Sequence, residues 1–178
     1  MFRLGLIVNP MAGLGGAIAL KGSDDIVNMA QALSMGAVPR ASARTLQALQ
    51  PLQGLDLQII TYPGAMGEDA VKQTGFTPVV LGSIQAGQTT AEDTESAAQQ
   101  LLAEGVDLIL FAGGDGTARN ICNAVGTSTA VLGIPAGVKI HSGVYAVTPR
   151  AAGEIVALLV KGELVTLSEQ EVRDIDEE

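Results

Sequence analysis

The residues best suited to chemistry form the segment Gly113-Gly114-Asp115-Gly116-Thr117. This segment follows the apolar run Asp107–Ala112 and precedes the periodic segment Ala118–Val125, so we expect it to link a buried strand to a helix. Glycines there can take positive φ and bring bare N–H groups close to a ligand, and the helix N-terminus adds further donors. The pattern predicts an anion site with phosphate as its occupant. A tight turn with Thr117 as the N-cap is the alternative that the spacing leaves open.

Asp115 stands out because a carboxylate inside a phosphate-binding turn requires a countercharge or a chemical role. Its oxygens can hold Mg²⁺, or they can accept a proton from an attacking hydroxyl group. Thr117 can cap the helix and donate its hydroxyl to a phosphate oxygen. We therefore predict Asp115 as a catalytic residue or a metal ligand, with the phosphate bound by Gly113, Gly114, Gly116 and Thr117.

Two further turns rich in glycine follow expected strands, where parallel sheets bind their ligands. The first comes after Leu4–Val8 and matches neither the dinucleotide fingerprint, whose third glycine is Ile18 here, nor the P-loop, since no Gly-Lys-Ser/Thr occurs. The second, Gly133–Gly143, contains Lys139, one of the chain's 10 basic residues. Lys139 is a candidate phosphate partner, and a solvated surface lysine is the alternative. The candidate ligand residues in these turns are Asn9, Gly13, Gly15, Gly16, Gly137 and Lys139.

Composition narrows the classes of partner. The 178 residues carry 19 acidic and 10 basic side chains, and a net charge of −9 argues against nucleic acid as a partner. No apolar run reaches the roughly 18 residues that a membrane span needs, and the N-terminus has no cleavage site of the signal-peptide type. We expect a cytoplasmic protein with neither nucleic-acid nor membrane partners.

The only cysteine and the only histidine offer little further chemistry. Cys122 cannot form an intramolecular disulfide or a thiolate zinc cluster, and its helical spacing favours a small core residue over a nucleophile. His141 has no visible nucleophile partner, so a catalytic triad is not expected.

Short apolar runs alternate with segments of helical periodicity along the chain. The runs are continuous rather than alternating, which indicates strands buried on both faces of a parallel sheet. The expected strands are Leu4–Val8, Leu57–Thr61, Val79–Leu81, Asp107–Ala112 and Ala130–Ile134. The expected helices are Asp24–Met35, Ala41–Leu49, Glu68–Thr74, a segment from the capping box Thr89–Glu92 to Gly105, Ala118–Val125 with Gly126 as its stop, and a segment capped by Thr148 that ends at Gly162. The order predicts an open, doubly wound α/β sheet with helices on both faces.

At these residues the chain resembles a known kinase superfamily. Gly113–Thr117 is similar to the signature shared by NAD kinases, diacylglycerol and sphingosine kinases and, with Ser in the last place, 6-phosphofructokinases. Asn9-Pro10 followed by glycines is similar to that superfamily's N-terminal loop. Longer strings resemble the ATP-NAD kinase family branch that includes the acetoin-catabolism X proteins: LKGSD (20–24), TTAEDT (89–94), DLILFAGGDGTARN (107–120) and GIPAGVKIHSGVYAVTP (133–149).

The resemblance implies an N-terminal nucleotide-binding α/β domain over residues 1–163, with ATP and Mg²⁺ as cofactors. It implies that Asp115 acts as catalytic base or metal-orienting carboxylate, and it adds Asn120, expected in the first helical turn, to the nucleotide-binding residues. The resemblance also implies a second, β-rich domain, and we expect this domain to lie outside residues 1–178. We expect residues 164–178 to be an acidic stub leading to it, with a solvated tail as the alternative. Catalysis is then expected of the full-length protein rather than of residues 1–178 alone.

Three functions remain open from the sequence. The first is an ATP-dependent kinase that phosphorylates the ribose hydroxyl of NAD or of another hydroxyl-bearing small molecule. The second is a non-catalytic nucleotide-binding or sensing module. The third, a lipid kinase, is disfavoured by the net charge of −9 and by only three Phe residues. An apolar face left without its partner domain would favour a homo-oligomer.

Overall fold

The apolar runs form one parallel sheet in the computed structural model, which describes residues 2–9, 40–82, 91–126, 128–135 and 148–161. Its strands are β1 (Phe2–Val8), β2 (Leu57–Thr61), β3 (Val79–Val80), β4 (Leu108–Gly113) and β5 (Ala130–Pro135). They lie in the order β3-β2-β1-β4-β5, and every neighbouring pair is parallel. The doubly wound α/β prediction is confirmed.

Five α-helices lie in the described part of the chain, and two short 3-10 turns accompany them. The helices are α1 (Arg40–Leu49), α2 (Glu68–Gln73), α3 (Ala91–Glu104), α4 (Asp115–Val125) and α5 (Pro149–Val160). The 3-10 turns are Gln50–Leu52 and Gly64–Met66. As predicted, the Thr148 hydroxyl accepts a hydrogen bond from the Ala151 N–H, which caps α5 at 3.0 Å.

Both faces of the sheet are covered by helices, and successive strand residues point to opposite faces, so residues of both kinds are buried. Leu4, Leu6 and Val8 of β1 pack in a cluster with α1, α2 and α5, whereas Ile7 packs in a second cluster with α3 and α4. Gly5, between them, lets α3 approach closely, since a Cβ there would lie 3.0 Å from Leu101 Cδ1. This double burial explains why the strands read as continuous apolar runs.

Several predicted boundaries differ from the structure. Helix α4 begins at Asp115 rather than Ala118, and β4 extends to Gly113, so the turn between them shrinks to Gly114. Strand β3 ends at Val80, one residue before the predicted end. Cys122 is half-buried rather than in either core cluster. The predicted helix 24–35, the capping box at 89–92 and the stop at Gly162 lie wholly or partly outside the described residues.

Candidate phosphate-binding site

The candidate site begins where the strand order changes direction. From β1 the chain adds β2 and β3 on one side and then β4 and β5 on the other, so the carboxyl ends of β1 and β4 are neighbours at the switch point. The Asn9 N–H donates to the Ala112 carbonyl at 2.8 Å, which extends the β1–β4 pairing by one residue. Asn9 therefore lies beside the turn that follows β4.

The turn itself presents the backbone of a helix N-terminus. Gly114 is the N-cap residue, with φ −98° and ψ −165°, and makes no side-chain cap. The first intrahelical bond runs from the Ala118 N–H to the Gly114 carbonyl at 3.1 Å. The N–H groups of residues 115–117 precede that bond and have no acceptor within the helix, so they can serve an anion.

Close approach, and not positive φ, is the reason for glycine at position 113. Gly113 and Gly114 are not among the described glycines with positive φ, which corrects the expectation from sequence. A Cβ at Gly113 would lie 2.4 Å from Thr117 Oγ1 and 2.6 Å from Thr117 Cβ. A Cβ at Gly116 would meet nothing within 4 Å. The backbone is thus crowded from the protein side at Gly113 and open on the outside at Gly116.

Thr117 lies within the first turn of α4. It is the third residue of α4 and not its N-cap, and it is only 5% exposed. Its Oγ1 accepts a hydrogen bond from Asn9 Nδ2 at 3.0 Å. The side chain thus lies between β1 and the backbone of Gly113 rather than at the surface.

A second turn closes the neighbouring strand end, and its residues were not among the predicted site residues. After β2, the Gly64 N–H donates to Glu68 Oε1 at 2.9 Å, and Gly67 takes φ 148°. The Gly64 N–H and the Lys72 ammonium lower the pKa of the Glu68 carboxyl. The signal in the sequence is Pro63-Gly64 and Gly67 immediately after a strand.

The structure brings six of the predicted site residues together at the carboxyl ends of β1 and β4: Asn9, Gly113, Gly114, Asp115, Gly116 and Thr117. Asp115 is located there by its backbone, as the first residue of α4. Asn120 lies in the second turn of α4, not in the first, because the helix begins three residues earlier than expected. Gly13, Gly15, Gly16, Gly137 and Lys139 lie outside the described residues.

The fit of a metal ion to this turn depends on the oxygen ligands that its residues supply. Among the described residues, no group of three or more His, Cys, Asp or Glu side chains could hold a metal ion. Mg²⁺ is usually held by one or two carboxylates together with substrate phosphates, and an aspartate as the first residue of α4 supplies the residue type that this cation prefers. No helix in the described ranges is long and apolar enough to span a membrane.

Comparison with known protein families gives a match over most of the chain. Residues 4–164 match the family model of the ATP-NAD kinase N-terminal domain. None of the curated proteins compared with the chain matches it. The matched range contains β2 to β5 completely, β1 from Leu4 onward, and the six site residues brought together at the turn after β4.

Proposed function

We propose, from the premise that this chain belongs to the ATP-NAD kinase family, that it is the nucleotide-binding domain of a kinase that phosphorylates the ribose hydroxyl of NAD. The observation that carries the proposal is the turn between β4 and α4. It sets a glycine backbone, three N–H groups without acceptors in the helix and Asp115 at the switch point of a parallel sheet. Such a point is where open α/β sheets bind their ligands.

The backbone N–H groups of residues 115–117 bind the phosphates of ATP in this proposal. Peptide N–H groups carry no formal charge, but their aligned dipoles attract an anion. A chain with a net charge of −9 can therefore bind phosphate at these groups without basic side chains. The open space around Gly116 permits a phosphate to approach the main chain closely. Binding at a preorganised backbone positions the γ-phosphoryl group without reorganisation of side chains.

Asp115 acts on the acceptor. As the catalytic base, it accepts the proton of the ribose hydroxyl as that oxygen attacks the γ-phosphorus, while the bond from the γ-phosphorus to the β–γ bridging oxygen breaks and ADP leaves. Its carboxylate would also hold Mg²⁺ together with phosphate oxygens. The cation, when bound, neutralises charge on the transferring phosphoryl group.

The test is ATP-dependent formation of NADP by the full-length protein and by its Asp115→Asn variant. Asparagine keeps the size of the side chain but cannot accept the proton, so we expect kcat to fall by about 10²–10⁴-fold. Asp56→Asn is the matched control. Asp56 is exposed and directly precedes β2, so it lies at the amino ends of the strands, away from the candidate site. This variant should keep the wild-type rate.

Two outcomes would contradict the proposal. Full activity of the Asp115→Asn variant removes Asp115 from the chemistry. Tight binding of Mg·ATP and NAD without turnover would instead favour a non-catalytic nucleotide-binding module. Calorimetry with both ligands, run beside the assay, separates these results.

A further inference from the structure

Asn9 and Thr117 are joined across the two strands that border the candidate site. The backbone of Asn9 is held by its N–H bond to the Ala112 carbonyl, and its side-chain amide donates to Thr117 Oγ1. The two residues are 108 positions apart in the chain. One side chain therefore connects the end of β1 to the first turn of α4.

Thr117 is buried on the protein side of that turn. Only 5% of the residue is exposed, and its Oγ1, Cβ and Cγ2 would all lie within 2.8 Å of a Cβ at Gly113. The hydroxyl thus faces the interior contact with Asn9, whereas the backbone N–H of the same residue is one of the three that precede the first helical bond. A displacement of the first turn of α4 away from β1 would break the Asn9–Thr117 bond and move that N–H group.

We propose that Asn9 is a positioning residue that acts on the phosphate site through Thr117, and that neither side chain touches the nucleotide. The Asn9–Thr117 bond holds the first turn of α4 against the end of β1 and so keeps the N–H groups of residues 115–117 converged on one point. This inference rests on the proposed function, because it assigns the phosphate groups of ATP to those N–H groups.

The test is a double-mutant cycle on the full-length protein, with Asn9→Ala, Thr117→Val and the double variant. Valine keeps the shape of threonine but has no hydroxyl, so it removes the acceptor alone. Calorimetry measures the affinity for Mg·ATP and, separately, for inorganic triphosphate. We expect each single variant to weaken binding of both probes about 5- to 10-fold, as the loss of one hydrogen bond predicts. The double variant should bind no worse than the weaker single variant.

Matched controls separate positioning from general destabilisation. Asn123→Ala makes the same change at an exposed site on α4. Thr45→Val removes a buried hydroxyl that donates to the Ala41 carbonyl in α1, on the other face of the sheet. Both controls should keep wild-type affinity for the two probes, although Thr45→Val lowers the free energy of unfolding.

The outcomes are distinct. Multiplying losses in the double variant, about 25- to 100-fold in total, would show that each side chain contacts the ligand itself and would overturn the inference. Unchanged affinity in the single variants would overturn it as well, as would a loss that follows the free energy of unfolding in the controls. If the wild-type protein binds neither probe, both the proposed function and this inference fail, and the wild-type measurement alone shows it.

Discussion

At the scale of the residue, two glycines of one short motif have opposite surroundings. Gly113 is crowded by Thr117, so any side chain there would push the first turn of α4 away from β4. Gly116 is exposed and surrounded by open space, so the fold does not require glycine at that position. In the proposed function the space at Gly116 belongs to the nucleotide.

This contrast predicts different effects for the same substitution. Gly113→Ala should lower the free energy of unfolding by about 1–3 kcal/mol, because the new methyl group overlaps Thr117. Gly116→Ala should leave stability unchanged or slightly higher, since alanine is the better helix former, and should weaken Mg·ATP binding. Urea denaturation and calorimetry measure the two effects. Equal free energies of unfolding for the two variants would contradict the packing argument. Undiminished Mg·ATP binding by Gly116→Ala would contradict the proposal that the nucleotide lies against Gly116.

At the scale of the element, helices α1 and α5 pack closely through a small residue. A Cβ at Gly153 of α5 would lie 1.9 Å from the carbonyl oxygen of Ala48, in the last turn of α1, and 3.1 Å from Pro51 Cδ. The contact seals one face of the sheet, where Ala152, Ile155 and Val156 are buried. Packing here outweighs helix propensity, for which glycine is a poor choice.

Gly153→Ala should therefore destabilise the protein even though alanine favours a helix. The added methyl group must separate the two helices, at a cost of about 1–3 kcal/mol or more in the free energy of unfolding. Gly116→Ala serves as the control, because it makes the same change in a helix with open space around the residue. Chemical denaturation monitored by circular dichroism gives both values. A Gly153→Ala variant as stable as this control would show that the helices separate without cost.

At the scale of the whole molecule, charge is the dominant imbalance. The chain has 19 acidic and 10 basic residues, and the three ion pairs among the described residues, Arg3–Glu104, Lys72–Glu68 and Arg150–Glu154, all involve exposed or half-exposed side chains. Such pairs contribute little to stability. Repulsion among the remaining carboxylates therefore opposes the compact state.

Added NaCl should raise the melting temperature, because salt screens this repulsion. A variant with Gln47→Lys, Gln73→Lys and Gln99→Lys adds three positive charges at exposed positions and should depend less on salt. Scanning calorimetry from low salt to about 0.5 M NaCl measures both dependences over the range where screening becomes short-ranged. A melting temperature that falls with salt would mean that attractive pairs dominate instead.

The sequence by itself determined the fold class and most of the elements. Continuous apolar runs require a sheet covered on both faces, and helical periodicity between them requires crossover helices, so the parallel doubly wound architecture follows from local patterns. The same reasoning located the turn after β4, because clustered glycines between the apolar run Leu108–Ala112 and the apolar face of α4 indicate a break between a strand and a helix. Helix α4 begins three residues before the predicted Ala118. The sequence pattern missed this start, because glycine has a low helix propensity and Gly116 therefore does not indicate a helix.

Tertiary structure alone decided which residues meet. Asn9 and Thr117 come together because β1 and β4 are neighbours, and strand order depends on long-range packing that no local pattern encodes. The same adjacency turned Thr117 inward and made Gly113 a residue of close approach rather than of positive φ. The sequence thus specified the residue types of the turn. The packing of two strands distant in the chain decided that the Thr117 side chain is buried and that the N–H groups of residues 115–117, which we propose as phosphate ligands, lie beside the end of β1.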